Sequence, residues 1–306
     1  MSDKLMLLDT ASLYFRAFYG IPDKVKAPDG TSVNATRGLL DIIAKLVTLY
    51  DPSHVVACWD DDWRPQWRVD LIPSYKTHRV VEVVATGPDV EEVPDPLEAQ
   101  LPLIREALTA LGIPIIGAPE HEADDVIGTL ATRAAGPVDI VTGDRDLFQL
   151  VDDDRGIRVV YTARGMSNLE IVTDETVVAK YGVLPSQYAD FATMRGDTSD
   201  GLPGVAGVGE KTAATLLKAH GDLDGIRAAA AAGEGMSTGV RAKIAAASDY
   251  LDVAPTVVEV ARDLDIEAPT APTRPLDPAM ADAARDLAAR WNLGSSMDRA
   301  IAALSD

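Results

Sequence analysis

Carboxylates in this sequence of 306 residues are concentrated at the ends of apolar runs and in three short acidic motifs. Carboxylates that lie a few ångströms apart repel one another and cannot all ionise without a counter-charge. Mg²⁺ and Mn²⁺ supply that charge and prefer oxygen ligands. Two such ions about 3.5–4 Å apart activate water for phosphodiester hydrolysis. The candidate metal ligands are Asp9, Asp60, Glu122, Asp124, Asp125, Asp144, Asp146, Asp197 and Asp200.

Short β-branched runs alternate with helical patterns through the first half of the chain, which predicts a mostly parallel sheet covered by helices on both faces. Ligands of such sheets bind outside the carboxyl ends of the strands. Asp9 and Asp60 end their runs and Asp144 follows its run, so three acids converge on that edge. Taken singly, each acid is better explained by a helix cap or a turn, and it is the joint pattern of strand-end acids and acidic motifs that indicates a site. The predicted strands are 4–9, 54–60, 113–116 and 138–142, and the predicted helices lie near 34–50, 97–111 and 121–134.

From about residue 173 the sequence is predicted to be helical, which divides the chain into an α/β region, 1–172, and a helical region, 173–306. Thr and Asp open the pattern at 173–182 and Gly closes it, as helix caps do. Similar patterns occupy 184–196, 226–232, 242–247 and 276–291, and the Pro-rich stretch 268–275 is predicted to be a loop.

A glycine-rich turn precedes a predicted helix in LPGVAGVGEKTAATLL (202–217). Gly204, Gly207 and Gly209 allow positive φ angles and close approach to a backbone. The following helix N-terminus offers N–H groups to a phosphate, and Lys211 adds a positive charge. On spacing alone, a hairpin that grips a nucleic-acid backbone and a plain turn between helices both remain open.

Charge is distributed unevenly along the chain. The total of 28 Lys and Arg against 48 Asp and Glu gives a net charge of −20, which on average disfavours a nucleic-acid partner. Residues 64–79 nevertheless carry four basic residues and one acid, whereas 82–98 carry six acids and no Lys or Arg. The acidic stretch is interpreted as a solvated loop or as an element that weakens capture of single strands. The single cysteine, Cys58, excludes a disulfide framework.

Taken in order, the motifs resemble the flap endonuclease/5′–3′ exonuclease family, in particular the bacterial 5′-nuclease domain at the N-terminus of DNA polymerase I. The likeness covers roughly residues 4–220. It rests on Asp9, ASLYFRAFYGIP (11–22), Asp60, SYKTHR (74–79), HEADD (121–125), TGDRDLFQL (142–150) and GDTSDGLPGVAGVGEKTA (196–213).

The resemblance implies a PIN-like α/β fold with a helical arch at about 63–95 and a helix–hairpin–helix element at about 196–220. It implies that the nine acids hold two or three Mg²⁺ or Mn²⁺ ions and that K⁺ assists the hairpin in binding duplex DNA. Lys76 and Arg79 correspond to arch residues that contact the scissile phosphate. Tyr75 corresponds to an aromatic residue that stacks on a base, and Arg16 to a basic residue near the site.

The expected function is that of a metal-dependent 5′-nuclease of DNA replication and repair that acts on 5′ flaps, gaps or ends, with RNA primer–DNA hybrids as further substrates. The expected form is a monomeric, cytoplasmic, stand-alone enzyme with no membrane segment and no clamp-binding tail. Two alternatives are a non-catalytic branched-DNA-binding protein and a PIN-type endoribonuclease. The complete acid set argues against the first, and the glycine-rich turn against the second.

Overall fold

The computed structural model describes residues 4–84 and 87–306, so the start of the chain and two residues of the acidic stretch lie outside the description. Its centre is a six-stranded sheet in the order β5-β2-β1-β6-β7-β8. The strands are β1 (Leu5–Asp9), β2 (His54–Cys58), β5 (Ile115–Ile116), β6 (Val138–Thr142), β7 (Ile157–Tyr161) and β8 (Glu170–Val172). All neighbours pair in parallel except β7 and β8. The predicted, mostly parallel sheet is confirmed.

Successive side chains of each strand point to opposite faces of the sheet, so both faces are apolar and both are covered by helices. Met6 and Leu8 pack on one face, and Leu7 on the other. The helices of the first half are α1 (Thr10–Gly20), α2 (Asn34–Tyr50), α3 (Gln66–Leu71), α4 (Asp95–Glu98), α5 (Leu101–Ala110) and α6 (Ala123–Arg133). Those of the second half are α7 (Asp174–Tyr181), α8 (Tyr188–Arg195), α9 (Glu210–His220), α10 (Leu223–Ala232), α11 (Thr238–Ala246), α12 (Ser248–Val258), α13 (Pro278–Trp291) and α14 (Gly294–Ser305).

The segment expected to form a helical arch, 63–95, is helical only in part. It contains α3, a 3₁₀ turn at Thr77–Arg79 and a hairpin of two short antiparallel strands, β3 (Val80–Glu82) and β4 (Val90–Glu91). The β-branched sequence VVEVV at 80–84 favours extended backbone over helix, which accounts for the hairpin.

The last two helices return to the α/β half. α14 packs against α2, α13 packs against α5, and Leu287, Met297 and Leu304 are buried in the same cluster as Met6 and Leu8. The C-terminal segment therefore completes the core on that face of the sheet. Of the helices described, none combines the length and the apolar composition required to span a bilayer.

Candidate active site

Asp9 lies at the carboxyl edge of the sheet, as predicted, and is held in a fixed position. It ends β1 and caps α1, where its Oδ1 accepts a hydrogen bond from Ser12 N at 3.1 Å. Its Oδ2 accepts a bond from Thr142 Oγ1 at 2.6 Å, across the β1–β6 pair. The Thr142 hydroxyl in turn accepts a bond from Asp144 N at 2.8 Å. One threonine thus couples two of the predicted site residues.

Asp60 and Asp124 line the same cleft as Asp9 and Asp144. Asp60 follows β2, and its Oδ1 accepts a bond from Ala123 N at 2.8 Å, at the N-terminus of α6. Asp124 lies in the first turn of α6. The cleft has a volume of about 240 Å³, and its charged lining consists of Asp9, Asp60, Lys76, Arg79, Glu91, Glu122, Asp124 and Asp144.

The acids of this cleft are difficult to ionise together in the protein alone. Burial raises the pKa of Asp9 to about 7, with smaller contributions from Asp60 and Asp144, although the hydrogen bonds from Thr142 and Ser12 oppose the shift. Burial raises the pKa of Asp60 to about 6 against the opposing Ala123 bond. It also raises the pKa of Asp124 well above its usual value, helped by the charges of Asp9 and Asp144. A bound cation would remove this cost.

A second group of acids surrounds Asp144 on its other side. Burial, followed by the charges of Asp144, Asp200 and Asp197, raises the pKa of Asp146 well above its usual value. The Oδ1 atom of Asp146 is buried and has no hydrogen-bond partner among the described residues. Burial also raises the pKa of Asp200 to about 6. Asp197 differs, since it is paired with Arg195 at 3.2 Å and with Arg145 at 3.7 Å.

The donor set fits hard divalent cations, because the cleft is lined by carboxylates and the neighbouring Asp146 has a buried oxygen without a partner among the described residues. Within residues 4–84 and 87–306, however, no three His, Cys, Asp or Glu side chains are close enough to form a metal-ligand group by themselves. Mg²⁺ typically binds through one or two carboxylates and keeps several waters, so a ring of acids around a cleft suits it better than a closed cage.

Glu122 lines the cleft, but its carboxylate and that of the neighbouring Asp125 bind side chains of the arch segment. Arg68 of α3 forms a bidentate ion pair with Asp125, at 2.7 and 3.0 Å, and a further bond to Glu122 at 3.0 Å. Asp125 is fully buried, is absent from the cleft lining and also accepts a bond from Ala261 N at 2.8 Å. The structure therefore does not bring Asp125 into the cleft, and its geometry is that of an anchor.

Glu122 receives two more side chains of the arch segment. The Tyr75 hydroxyl donates to its Oε1 at 2.6 Å, and the Lys76 ammonium pairs with its Oε2. Burial alone would raise the pKa of Glu122, but the charges of Lys76 and Arg68 outweigh it and hold this pKa below its usual value. The Tyr75 ring is buried, so in this arrangement it positions Glu122 and has no free face on which a base could stack.

The basic residues Lys76 and Arg79 lie on the cleft wall, where the sequence places them. Lys76 has a φ of +48°, a conformation that is uncommon outside glycine, and its N–H donates to the Asp200 carbonyl at 3.0 Å. Arg79 donates to Ser199 O at 2.9 Å and to Asp200 Oδ1 at 3.2 Å. The segment 74–79 is thus docked on the loop that carries Asp197 and Asp200.

Arg16 lies next to the cleft rather than inside it. It lines a larger groove, of about 800 Å³, together with Phe15, Tyr19 and Met166. Ser12 and Phe15 line both spaces, so the groove and the cleft are adjoining parts of one surface.

The glycine-rich turn joins α8 to α9 and has positive φ angles at two of the three glycines singled out from the sequence, but not at Gly209, where φ is −95°. Gly204 and Gly207 have φ angles of +65° and +74°. Gly209 is the N-cap of α9, and Lys211 in the first turn of that helix is exposed. The first N–H groups of α9 therefore face outward, beside a lysine, as a phosphate-binding turn requires.

Four residues near the site had not been singled out from the sequence. Arg68 and Thr142 hold predicted site residues by contacts between segments far apart in the chain, which leave no local signal. Glu91, from the acidic stretch, lies in the cleft lining. Lys243 of α11 donates to the Gly207 carbonyl at 2.8 Å and so joins the glycine-rich turn.

A mostly parallel sheet with a carboxylate-lined cleft at its carboxyl edge and a helical extension beside it defines a PIN-like fold. The family model for the 5′-3′ exonuclease N-terminal resolvase-like domain matches residues 4–182, and that for the 5′-3′ exonuclease C-terminal SAM fold matches residues 183–280. The chain therefore belongs to the 5′-3′ exonuclease family and is a nuclease. The two matches meet a little beyond the boundary predicted at 172/173.

Individual proteins agree with this assignment. A 5′-3′ exonuclease of Streptomyces coelicolor is 57% identical over 301 residues, which are 98% of this chain and 100% of that protein. DNA polymerase I of Mycobacterium bovis is 44% identical over 223 residues, which are 72% of this chain and 23% of the polymerase. The structure of the T5 D15 protein co-crystallised with metal ions has a TM-score of 0.66 at 16% identity, covering 98% of this chain and 99% of that one. This last likeness concerns the fold alone.

Proposed function

We propose that the protein hydrolyses DNA phosphodiesters near the junction of a duplex with a 5′ single strand, and that it does so with divalent metal ions held by the cleft carboxylates. The observation that carries the proposal is the cleft itself, in which Asp9, Asp60, Asp124 and Asp144 face one another beside Lys76 and Arg79. The T5 D15 protein of similar fold was crystallised with metal ions, and Rad2 of similar fold with a DNA substrate, which supports both parts.

The roles of the residues follow from their positions. Asp9, Asp60, Asp124 and Asp144 would hold one part of the metal set, and Asp146, Asp197 and Asp200 the other. When bound, the ions would lower the pKa of the attacking water and neutralise charge on the phosphate. Lys76 and Arg79 would exchange their present carboxylate partners, Glu122 and Asp200, for the scissile phosphate. Glu122 and Asp125 would hold the arch segment in position through Arg68 and Tyr75.

The glycine-rich turn would bind duplex DNA away from the cleft, without reading sequence. Lys243 already supplies one positive charge to the Gly207 carbonyl, so a K⁺ ion at the turn would be bound by other oxygens. RNA primer–DNA hybrids as further substrates, a monomeric state and a cytoplasmic location are also parts of the proposal.

The test is cleavage of an end-labelled 5′-flap duplex by the purified protein with Mg²⁺, with Mn²⁺ and with a chelator, alongside Asp144→Asn. Products near the junction that require metal and are absent with the variant support the proposal. Tight binding of the duplex without products under any metal would instead favour a non-catalytic branched-DNA-binding protein. Cleavage of RNA but not of DNA would favour the endoribonuclease.

Metal binding is expected to stabilise the protein more at pH 8 than at pH 5. Asp9, Asp60 and Asp200 have raised pKa values of about 7, 6 and 6, so the folded metal-free protein binds more protons than the unfolded chain between pH 4 and 7. Their contribution to stability is therefore complete below about pH 4 and is lost as the pH rises through 7. Thermal unfolding with chelator and with excess Mg²⁺, at both pH values, measures the difference. An equal metal-induced shift of the midpoint at the two pH values would contradict this expectation.

Gly209→Ala is expected to weaken duplex binding about threefold to tenfold without lowering stability, because the added methyl group holds a phosphate away from the α9 N-terminus. A Cβ at Gly209 meets no protein atom within 4 Å, and its backbone, with φ −95°, suits alanine. The comparison variant is Gly204→Ala, whose Cβ would lie 2.6 Å from the Arg195 carbonyl at a φ of +65°, so that variant loses stability. Fluorescence anisotropy and thermal unfolding separate the two effects. Unchanged affinity in Gly209→Ala would remove the turn from the DNA interface.

A further inference from the structure

The β3–β4 hairpin contributes one carboxylate to the cleft that none of the roles above explains. Glu91 lies on β4 and pairs with Val80, the residue that follows Arg79 in the sequence. Its side chain is partly buried and lines the cleft. Most of the hairpin lies in the acidic stretch 82–98. The sequence allowed two interpretations of this stretch, a solvated loop or an element that weakens capture of single strands. Glu91 therefore needs an explanation of its own.

The cations near Glu91 already have other partners. Lys76 pairs with Glu122, and Arg79 pairs with Asp200. Among the ion pairs of the described residues, none involves Glu91. Six acids line the cleft against these two cations, and Glu91 is the acid among them with no proposed metal or anchoring role. The hairpin side of the cleft thus presents an acid that forms no ion pair among the described residues; burial raises its pKa above the usual value, and the charges of Arg79 and Lys76 oppose that shift.

Buried contacts at the base of the hairpin place the backbone of Glu91 beside the cleft. Asp89 is buried and forms an ion pair with the buried Arg64, and its carbonyl accepts a bond from Trp63 Nε1 at 2.7 Å. The Arg64 guanidinium also donates to Tyr75 O at 2.6 Å and to Thr77 Oγ1 at 3.1 Å. The base of the hairpin is therefore tied to the segment that carries Lys76, and the β4 backbone that carries Glu91 cannot move away from the cleft without breaking these buried contacts.

We propose that Glu91 is a specificity-determining residue that disfavours substrates with a long 5′ single strand relative to substrates with a short 5′ end. A short end places little more than the scissile phosphate in the cleft, whereas a long 5′ strand carries one further charge per nucleotide past the cleft wall. The Glu91 carboxylate repels the scissile phosphate of both substrates alike, whereas only the long substrate adds further phosphates for it to repel. This inference rests on the proposed 5′-nuclease function.

The test compares the full-length protein with Glu91→Gln on two duplexes that differ only in flap length, one nucleotide against about 20 nucleotides. The measured quantity is the ratio of kcat/KM for the long flap to that for the short flap. Glu82→Gln is the matched control, since Glu82 lies on β3 of the same hairpin, is exposed and is absent from the cleft lining.

Glu91→Gln is expected to raise this ratio about threefold to tenfold at low ionic strength, with the gain shrinking at about 0.3 M salt as the repulsion is screened. Glu82→Gln should leave the ratio unchanged. An unchanged ratio in Glu91→Gln would overturn the proposal. So would an equal fall of both rates accompanied by a higher Mg²⁺ requirement, which would make Glu91 part of the metal site. Failure of the unsubstituted protein to cleave either duplex would instead refute the proposed function.

Discussion

Asp124→Asn is expected to lower the cleavage rate on the order of 10³-fold while the protein remains folded and bound to DNA. Asp124 lines the cleft with Asp9 and Asp144. Burial, followed by the charges of Asp9 and Asp144, raises the pKa of its carboxyl group well above the usual value, so ionising it in the metal-free protein is unfavourable. An amide of nearly the same shape removes this charge, so a cation loses a ligand and the metal-free protein loses a source of repulsion. The variant should be at least as stable as the unsubstituted protein in chelator at neutral pH.

Three measurements together test this expectation: single-turnover cleavage of a 5′-flap duplex, anisotropy with the same duplex, and thermal unfolding with and without Mg²⁺. The expected pattern is lost turnover, retained affinity and a smaller Mg²⁺-induced rise of the unfolding midpoint. Turnover within tenfold of the unsubstituted protein would exclude Asp124 from the catalytic carboxylates. A variant that is unfolded in chelator would show that Asp124 is structural.

The sheet and its edge could be predicted from the sequence because both depend on local patterns. The run 138–142 is observed as β6 with the same bounds, and 34–50 as α2, since long periodic patterns with clear ends leave little ambiguity. Strands β7 and β8 were not predicted. Arg158 interrupts the apolar pattern of β7 in order to pair with the buried Asp139, and β8 has only three residues. Both strands are defined by their partners in the sheet.

Which acids line the cleft and which pair with the arch segment could not be predicted in the same way. Asp124 and Asp125 are adjacent in HEADD and have the same chemistry, but they project from α6 in different directions. What distinguishes them is Arg68, which lies far away in sequence and comes from α3. Tyr75 illustrates the same limit, because its burial against Glu122 depends on how the arch segment docks. Sequence motifs identify which residues belong to a site, whereas the contacts between segments decide which of them face the cleft.

Asp125→Asn is expected to act in the opposite way to its neighbour, by lowering the free energy of unfolding by about 3–5 kcal/mol in the absence of metal. The Asp125 carboxylate is fully buried, receives both outer nitrogens of Arg68 and accepts bonds from Ala261 N and Glu122 N. Neutralising it leaves the buried Arg68 guanidinium with Glu122 as its remaining acidic partner. Glu122 must already satisfy Tyr75 and Lys76, so the arch segment loosens as well.

A double-mutant cycle with Arg68→Met distinguishes an anchor from a metal ligand. Each single variant should be destabilised, and the double variant should be more stable than the sum of the two losses predicts, because the second substitution removes the charge that the first leaves unpaired. The free energy of unfolding is measured in chelator, because the loss of a metal ligand has no effect on stability when no metal is bound. If Asp125→Asn unfolds in chelator at the same temperature as the unsubstituted protein and loses only its response to Mg²⁺, Asp125 is a ligand after all. The adjacent aspartates of α6 therefore provide a direct comparison between a carboxylate proposed to bind metal and one proposed to hold the arch segment.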